Sequence, residues 1–284
     1  MSRESELQIL KRVEGIAKEK DDIKGHISEL LCQEKSSDTS TSSIRDYHKL
    51  EPSGGPVLYV SPLSQIGDEF MYAWWAMVRC HHVLWKEGVY HRDVSPINLL
   101  HYRDEKGNVV GVLNDFDQGS TSDHATGTER TGTVPLMALD LLTDESLRGE
   151  VQHLYEHDAE SFIWVLTWIC LCYHNREPLE NAELDKCLIV DALRCGEKRS
   201  HFLLQSGGLL KNEDYPPGKG HELHLRMAYS YFKALKARRF ASENDKPDPW
   251  RREPETVFKN LFMDPIPEKF RPSTLVGIGW EKTL

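Results

Sequence analysis

From Tyr90 to Leu100 the chain contains the motif YHRDVSPINLL. A second motif, LNDFDQG, follows from Leu113 to Gly119. In the first motif Asp93 and Asn98 have the spacing of the pattern H-R-D-x-x-x-x-N, and in the second Asp115 begins the tripeptide DFD. Carboxylates and an amide at these spacings, in this order, indicate a site for phosphoryl transfer.

The chemistry explains why these residue types occur together. Phosphoryl transfer needs a carboxylate near the acceptor hydroxyl and oxygen ligands for Mg²⁺. Asp93 is the candidate that accepts or orients the hydroxyl proton, and Asn98 and Asp115 are the candidate metal ligands. Either motif alone could be a chance match whose carboxylates lie in solvated turns. Together they predict a site that uses ATP and Mg²⁺.

The residues around the motifs predict their local structure. From Asp68 to Lys86, apolar residues recur on one face of a helix that ends just before the first motif. Leu99–Tyr102 and Val109–Leu113 are rich in strand-forming residues and flank the turn-forming stretch RDEKGN, which predicts a hairpin. Asn98 and Asp115 would then lie just outside the two ends of the hairpin.

Composition excludes several classes of protein. The chain has 284 residues, of which 39% are hydrophobic, and its net charge of -10 argues against nucleic-acid binding through a basic surface. The longest apolar run, from Phe162 to Tyr173, is too short to span a bilayer, and the charged N-terminus has no apolar signal core. The six cysteines form no CxxC pair. We expect a soluble intracellular protein, cytoplasmic or nuclear, that binds neither nucleic acid nor membranes.

On HRDVSPIN and DFD the chain resembles the protein kinase superfamily and, more narrowly, the fungal-type protein kinases, which carry an HRD-I/V-S-P-x-N loop and a D-F-D metal motif. GTVPLMALD, from Gly132 to Asp140, is similar to the family stretch G-T-x-x-x-M-A-x-E that ends the activation segment. The resemblance covers approximately residues 1 to 175. It implies an α+β, protein-kinase-like fold with a mainly α-helical large lobe, a catalytic β-hairpin and an incomplete small lobe.

The resemblance implies contacts for three further residues. Thr133 would contact Asp93 in the loop that receives the substrate. Asp140 stands where glutamate is usual, and its side chain, one methylene shorter, would have to reach the usual arginine partner. HDAESFIWVLTWI, from His157, resembles the central buried helix, in which Asp158 would accept hydrogen bonds from the catalytic-loop backbone. A helix N-cap is an equally compatible role for Asp158.

Other roles follow from the same resemblance. His91 and Phe116 would pack in the regulatory spine, and Leu100 would form part of the apolar floor under adenine. Arg92 would pair with a phosphorylated residue of the activation loop, or would be an exposed arginine without a special role. The candidate phosphorylation sites are Ser120, Thr121, Ser122, Thr126, Thr128 and Thr131.

Two features depart from the pattern of an active enzyme. ELQILKRV, from Glu6, fits the family pattern E-x-x-I-L-K-x-L, which makes Glu6 the partner of the lysine that holds the ATP phosphates. Only five residues precede Glu6, which leaves no room in this sequence for that lysine or for the Gly-rich loop. We expect either a truncated piece of a longer kinase or a degenerate pseudokinase that binds partners. Ser95 stands where Ser/Thr kinases usually place a lysine that neutralises the transferring phosphate, although serine fits the fungal-type pattern; its other role is a turn-forming hydroxyl before Pro96.

We therefore predict three parts of the chain: a remnant of the small lobe in residues 1–62, the large lobe in 63–245 and a Pro-rich extension in 246–284. The remnant would contain a helix, a Ser-rich loop and a strand leading to the hinge. The predicted function is transfer of the ATP γ-phosphate to Ser/Thr of protein substrates, with a nucleotide and a protein substrate or partner as ligands. The alternatives are a pseudokinase or scaffold without turnover, and a small-molecule phosphotransferase similar to choline and aminoglycoside kinases.

Overall fold

The structure is a computed structural model that describes residues 5–28, 61–62, 69–121, 132–174, 177–179, 184, 189, 191–205, 221–242 and 253–265. These residues form a mainly helical assembly with small antiparallel sheets, which confirms the predicted mixed class at this level. The predicted Ser-rich loop and the predicted strand that leads to the hinge lie outside the described residues.

Helix α1, Glu6–Ala17, begins with a polar cap and buries one apolar face. The Ser5 N–H donates to Gln8 Oε1 at 2.9 Å, and this satisfies one donor that the helix start leaves open. Ile9 and Val13 are fully buried. The chain that follows reaches the hairpin, where the carbonyl of His26 accepts the N–H of Leu113 at 2.9 Å. The N-terminal segment is thereby held next to the second motif.

Helix α2, Phe70–Lys86, carries the hairpin on its surface. Trp74 and Met77 are fully buried, and Gly88, with φ of 75°, ends the helix in the left-handed region that glycine adopts readily. Gly111 lies so near α2 that a Cβ on it would overlap the backbone of Ala73. Only glycine allows this close approach.

Short strands frame both motifs. Strand β1, Ser61–Pro62, pairs with β3, Leu99–Arg103, and β3 pairs with β4, Val109–Leu113. This register confirms the predicted hairpin. Strand β2, Val89–Tyr90, pairs with β5, Ser120–Thr121. The chain enters the first motif from β2 and passes from the second motif into β5. Both motifs therefore lie in the loop that these two paired strands close.

The remaining elements are the 3-10 turns Val134–Leu136 and Leu139–Leu141, helix α3 Asp144–Leu147, helix α4 Tyr155–Cys172, strands β6 Tyr173–His174 and β7 Glu177–Pro178, helices α5 Ala192–Gln205, α6 Glu222–Ser242 and α7 Pro254–Phe258, and a π-helical turn Lys259–Met263. Helix α4 is buried along nearly its whole length and lies at the centre of the core. Its Phe162 carbonyl accepts the indole N–H of Trp74 at 3.1 Å. None of the helices in the described part of the chain has the length and apolar character needed to cross a membrane.

Part of the predicted Pro-rich extension belongs to the core. Val257 and Leu261 are buried, and Phe262 lies against Trp74 and Tyr231, with ring centroids 6.0 and 5.7 Å away. Residues 254–263 therefore pack against α2 and α6 as an integral element.

Candidate active site

The two motifs are hydrogen-bonded to each other. The hairpin brings Asn98 next to Asn114, whose N–H donates to the Asn98 carbonyl at 2.9 Å. The ring of His91 donates from Nε2 to the Asn114 carbonyl at 2.9 Å, and it also packs on Phe116 with ring centroids 4.8 Å apart. His91 and Phe116 are both buried, as expected of packing residues. The loop that carries Asp93 and the turn that carries Asp115 thus form one unit.

Asp93 connects the first motif to the segment Gly132–Asp140, which we call the platform. Its Oδ1 accepts hydrogen bonds from the N–H and the hydroxyl of Thr133, both at 2.8 Å. Its backbone carbonyl accepts the amide N–H of Asn98 at 3.0 Å. The expected contact between Thr133 and Asp93 is present. Within the described part of the chain, Oδ2 of Asp93 accepts no hydrogen bond, so this oxygen can accept a proton from an acceptor hydroxyl.

Asp115 lies in a cluster of three carboxylates. Its φ of 63° is unusual for a residue other than glycine, and its Oδ1 accepts the N–H of Asp117 at 3.2 Å. Carboxylate oxygens of Glu6, Asp115 and Asp117 all lie within 4.8 Å of one another. Burial and the charges of Asp117 and Asp115 raise the pKa of Glu6, against the effect of a hydrogen bond from Phe116. Hard oxygen donors at this density fit Mg²⁺.

Glu6 occupies its expected place beside the DFD motif but has a different partner there. Its Oε1 accepts the N–H of Phe116 at 3.2 Å. Among the described residues, no lysine or arginine forms an ion pair with Glu6. The helix therefore holds the DFD motif through a hydrogen bond to its backbone.

Asp158 anchors the catalytic loop from the buried helix. Its Oδ2 accepts the backbone N–H of Arg92 at 3.0 Å and the Nε2–H of His81 at 2.8 Å, and its Oδ1 accepts the Nε2–H of His153 at 2.7 Å. Burial acts to raise the pKa of Asp158, but the two histidines outweigh it and hold this pKa well below its usual value. Since α4 begins at Tyr155, Asp158 lies inside the helix, and the alternative role as its N-cap is wrong.

Ser95 does not reach the cleft. Its side chain is fully buried, with 0% of its surface exposed, and no hydrogen-bond partner for its hydroxyl lies within the described residues. Its carbonyl accepts the N–H groups of Asn98 and Leu99 at 3.1 and 3.2 Å. The sequence places Ser95 in the catalytic motif, where its side chain would face the transferring phosphate; its burial prevents that contact, and its carbonyl shapes the turn instead.

Arg92 is 6% exposed, so it is not the exposed surface arginine that the sequence also allowed. Its guanidinium carbon lies 5.9 Å from the ring centroid of Tyr90, and its backbone has φ of 67°. Two of the candidate phosphorylation sites, Ser120 and Thr121, are buried in β5 and are poor acceptors in this conformation. The candidates Ser122, Thr126, Thr128 and Thr131 lie outside the described residues.

Leu100 and Asp140 complete the predicted set. Leu100 is partly buried on β3 opposite Val112, and its place under adenine stays a prediction. Asp140 reaches an arginine despite its shorter side chain, because Arg239 Nη1 lies 3.2 Å from its Oδ1. Sequence reasoning could not name Arg239, which is far along the chain.

A second group of acidic and histidine side chains consists of Asp140, Glu156 and His157. The Nδ1 of His157 accepts the N–H of Leu154 at 3.1 Å, so the neutral ring carries its proton on Nε2. Burial lowers the pKa of His157 to about 3. A ring with both nitrogens occupied offers no lone pair to a metal ion, so this group is a poor cation site.

Buried neutral histidines make the fold sensitive to acid. Burial lowers the pKa of His157 to about 3 and that of His82 to about 4. Between these values and about 6.5 the unfolded chain binds protons that the folded chain does not, so stability falls as the pH is lowered, by about 1.4 kcal/mol per pH unit for each histidine. His157→Asn keeps an acceptor for the Leu154 N–H and removes the titrating ring. We expect it to reduce the slope of unfolding free energy between pH 4.5 and 6 by about 1 kcal/mol per pH unit.

Urea unfolding at a series of pH values measures this slope. The matched control is His201→Asn on the exposed side of α5, which should leave the slope as in the parent. An unchanged slope in His157→Asn would mean that this ring takes up its proton equally in the folded and unfolded states.

Comparison with known families agrees with the motifs. Residues 61–170 match the sequence model of the family described as fungal protein kinase. The matched stretch contains α2, both motifs, the platform and most of α4. No curated protein matches the chain. The resemblance drawn from the motifs is confirmed, and the match supports a kinase-like function at the level of the family.

Proposed function

We propose that this chain, whose residues 61–170 belong to the fungal-type protein kinase family, transfers the γ-phosphate of ATP to serine or threonine hydroxyls of protein substrates. The observation that carries the proposal is the pair of hydrogen bonds from Thr133 to Asp93, each 2.8 Å long. They fix the proton-accepting carboxylate to the platform. A backbone segment held at this place suits a polypeptide acceptor better than a small alcohol.

In this proposal each residue has a separate part. Oδ2 of Asp93 orients the acceptor hydroxyl and takes its proton. Asn98 and Asp115 hold Mg²⁺, which when bound neutralises charge on the phosphates. A divalent cation would also relieve the repulsion among the carboxylates of Glu6, Asp115 and Asp117, which lie within 4.8 Å of one another. The donor set is therefore suited to the metal that the chemistry needs.

Binding of a protein partner without turnover is the second candidate. Two observations favour it. Among the described residues Glu6 pairs with no basic side chain, and Ser95 is buried at the position where a lysine would meet the transferring phosphate. A nucleotide bound by this second candidate would stabilise the fold without transfer of its phosphate.

A labelling experiment separates the candidates. The full chain is incubated with Mg²⁺, ATP radiolabelled at the γ-phosphate and a degenerate peptide library, with choline and an aminoglycoside in parallel reactions. We expect label on serine and threonine of the peptides, and none after Asp115→Asn, which keeps the hydrogen bond to Asp117 but loses the metal-binding charge. Asp191→Asn, on the exposed start of α5, is the control.

Thermal unfolding with and without Mg-ATP is measured on the same samples, because a bound ligand raises the melting temperature. A shift in melting temperature without transfer to any acceptor supports the second candidate. Label on choline or the aminoglycoside alone assigns a small-molecule phosphotransferase. Neither shift nor transfer contradicts the proposed activity.

A further inference from the structure

Side chains of α4 and α5 are bonded to the backbone of the platform. Arg199 of α5 donates from Nη1 to the carbonyl of Met137, and Cys195 of the same helix lies with Sγ 3.8 Å from the carbonyl of Val134. Glu160 of α4 accepts the N–H of Leu139 at 3.0 Å. Backbone groups of the platform beyond Thr133 are thus bonded to α5 and α4.

Arg199 is a charged side chain placed entirely inside the protein. It has 0% of its surface exposed, and its guanidinium carbon lies 3.9 Å from the ring centroid of Trp164. Its Nη2 lies 3.9 Å from Oε1 of Glu160, which also accepts the indole N–H of Trp164 at 3.1 Å. Burying a guanidinium carries a desolvation penalty that an apolar side chain would avoid. The guanidinium donates to the carbonyl of Met137, so its charge stabilises the backbone of the platform.

Glu160 links this cluster to the end of the platform. Its Oε2 lies 3.4 Å from Nη2 of Arg239, the arginine that also pairs with Asp140. One carboxylate therefore contacts Leu139 directly and Asp140, the last residue of the platform, through Arg239. A shift of Glu160 would move both.

Helix α5 is near enough to act on the platform because it carries a glycine on that face. A Cβ on Gly196 would lie 2.9 Å from the carbonyl oxygen of Leu142, which is closer than side chains come to backbone. Cys195, Gly196 and Arg199 form one buried face of α5. This face lies against the platform and the turn after it.

We propose that Arg199, together with Glu160, is a positioning residue for the polypeptide acceptor. It fixes the position of the platform relative to Asp93, which binds the other end of the platform through Thr133. The inference rests on the proposed function. Arg199 contacts no reacting atom, so its loss acts on the acceptor and spares the nucleotide. A small displacement of a bound acceptor costs rate steeply, because reacting atoms must be aligned within fractions of an ångström.

The test compares Arg199→Met, an apolar side chain of similar length, with Arg199→Lys, which keeps the charge beside Glu160. Lys198→Met, exposed on the same helix, is the matched control. For Arg199→Met we expect the KM for a peptide acceptor to rise about tenfold while the KM for ATP stays within about twofold. Arg199→Lys should recover most of the loss, and Lys198→Met should match the parent.

Hydrogen exchange supplies a readout that needs no turnover. Arg199→Met should speed exchange of platform amides, the Leu139 N–H above all, about tenfold or more, while amides of Phe162–Leu171 in α4 keep their protection. Faster exchange throughout α4 would show that Arg199 only stabilises the core, and unchanged platform exchange would show that it does not hold the platform; either overturns the inference. If the parent transfers no phosphate but platform exchange responds as expected, the positioning by Arg199 stands and the proposed activity fails alone.

Discussion

Asp93→Asn is expected to lower phosphoryl transfer by about 10³-fold and to leave the melting temperature within about 2 °C of the parent. The substitution is nearly isosteric. An asparagine oxygen can still accept both hydrogen bonds from Thr133, which use only Oδ1 in the parent. The amide nitrogen replaces Oδ2, the oxygen available to the acceptor hydroxyl, and cannot take its proton. The platform contact and the chemistry are thereby separated.

Initial rates at saturating Mg-ATP, with melting curves on the same preparations, measure this effect. Asp144→Asn, exposed at the start of α3, is the matched control and should retain the rate of the parent. A variant at Asp93 that keeps more than a tenth of the parent rate would remove this residue from the chemistry. A large fall in melting temperature would instead assign it a structural role.

Asp158→Ala is expected to give the largest loss of stability. The carboxylate accepts hydrogen bonds from Arg92, His81 and His153, and both histidines are buried around it. Each buried donor left without an acceptor costs about 1–3 kcal/mol. We expect a total of at least about 3 kcal/mol, which corresponds to a fall in melting temperature of at least about 5 °C for a chain of this size.

Asp158→Asn should give a smaller loss of stability, since one amide oxygen remains as an acceptor. Asp144→Ala serves as the surface control. Transfer should also fall in Asp158→Ala, because Arg92 would no longer be held at its φ of 67°, a conformation that needs support from its surroundings. Thermal and urea unfolding measure the loss. A melting temperature equal to that of the parent would mean that other contacts suffice to hold the loop.

The parts of the site that could be predicted depend on local spacing. Asp93, Asn98 and Asp115 are close in sequence, and the hairpin between them has a clear strand pattern with a turn at Asp104. The family resemblance predicts the role of Asp158 but does not predict its partners His81 and His153. Each is a polar residue at a buried position, and such a residue is recognised only when its distant partner is known.

The bounds of helix α5, Ala192–Gln205, do not follow from its sequence pattern. Its buried face contains Gly196 and Arg199, which do not form the apolar stripe by which a core-facing helix is recognised. The contacts by which α5 holds the platform could not be predicted for this reason. In the Pro-rich C-terminal part, α7 begins at Pro254, because proline is favoured in the first turn of a helix.

The short pairing of β2 with β5 has a consequence for how the site opens. Val89 is opposite Thr121 and Tyr90 opposite Ser120, so the chain between them is a loop closed at its base, and that loop contains both motifs. Its inner contacts, from Asn114 to Asn98 and from His91 to Asn114, cross from one arm to the other. We expect such a loop to open as a single cooperative unit. Asp93 and the candidate metal ligands Asn98 and Asp115 would then be lost and regained together.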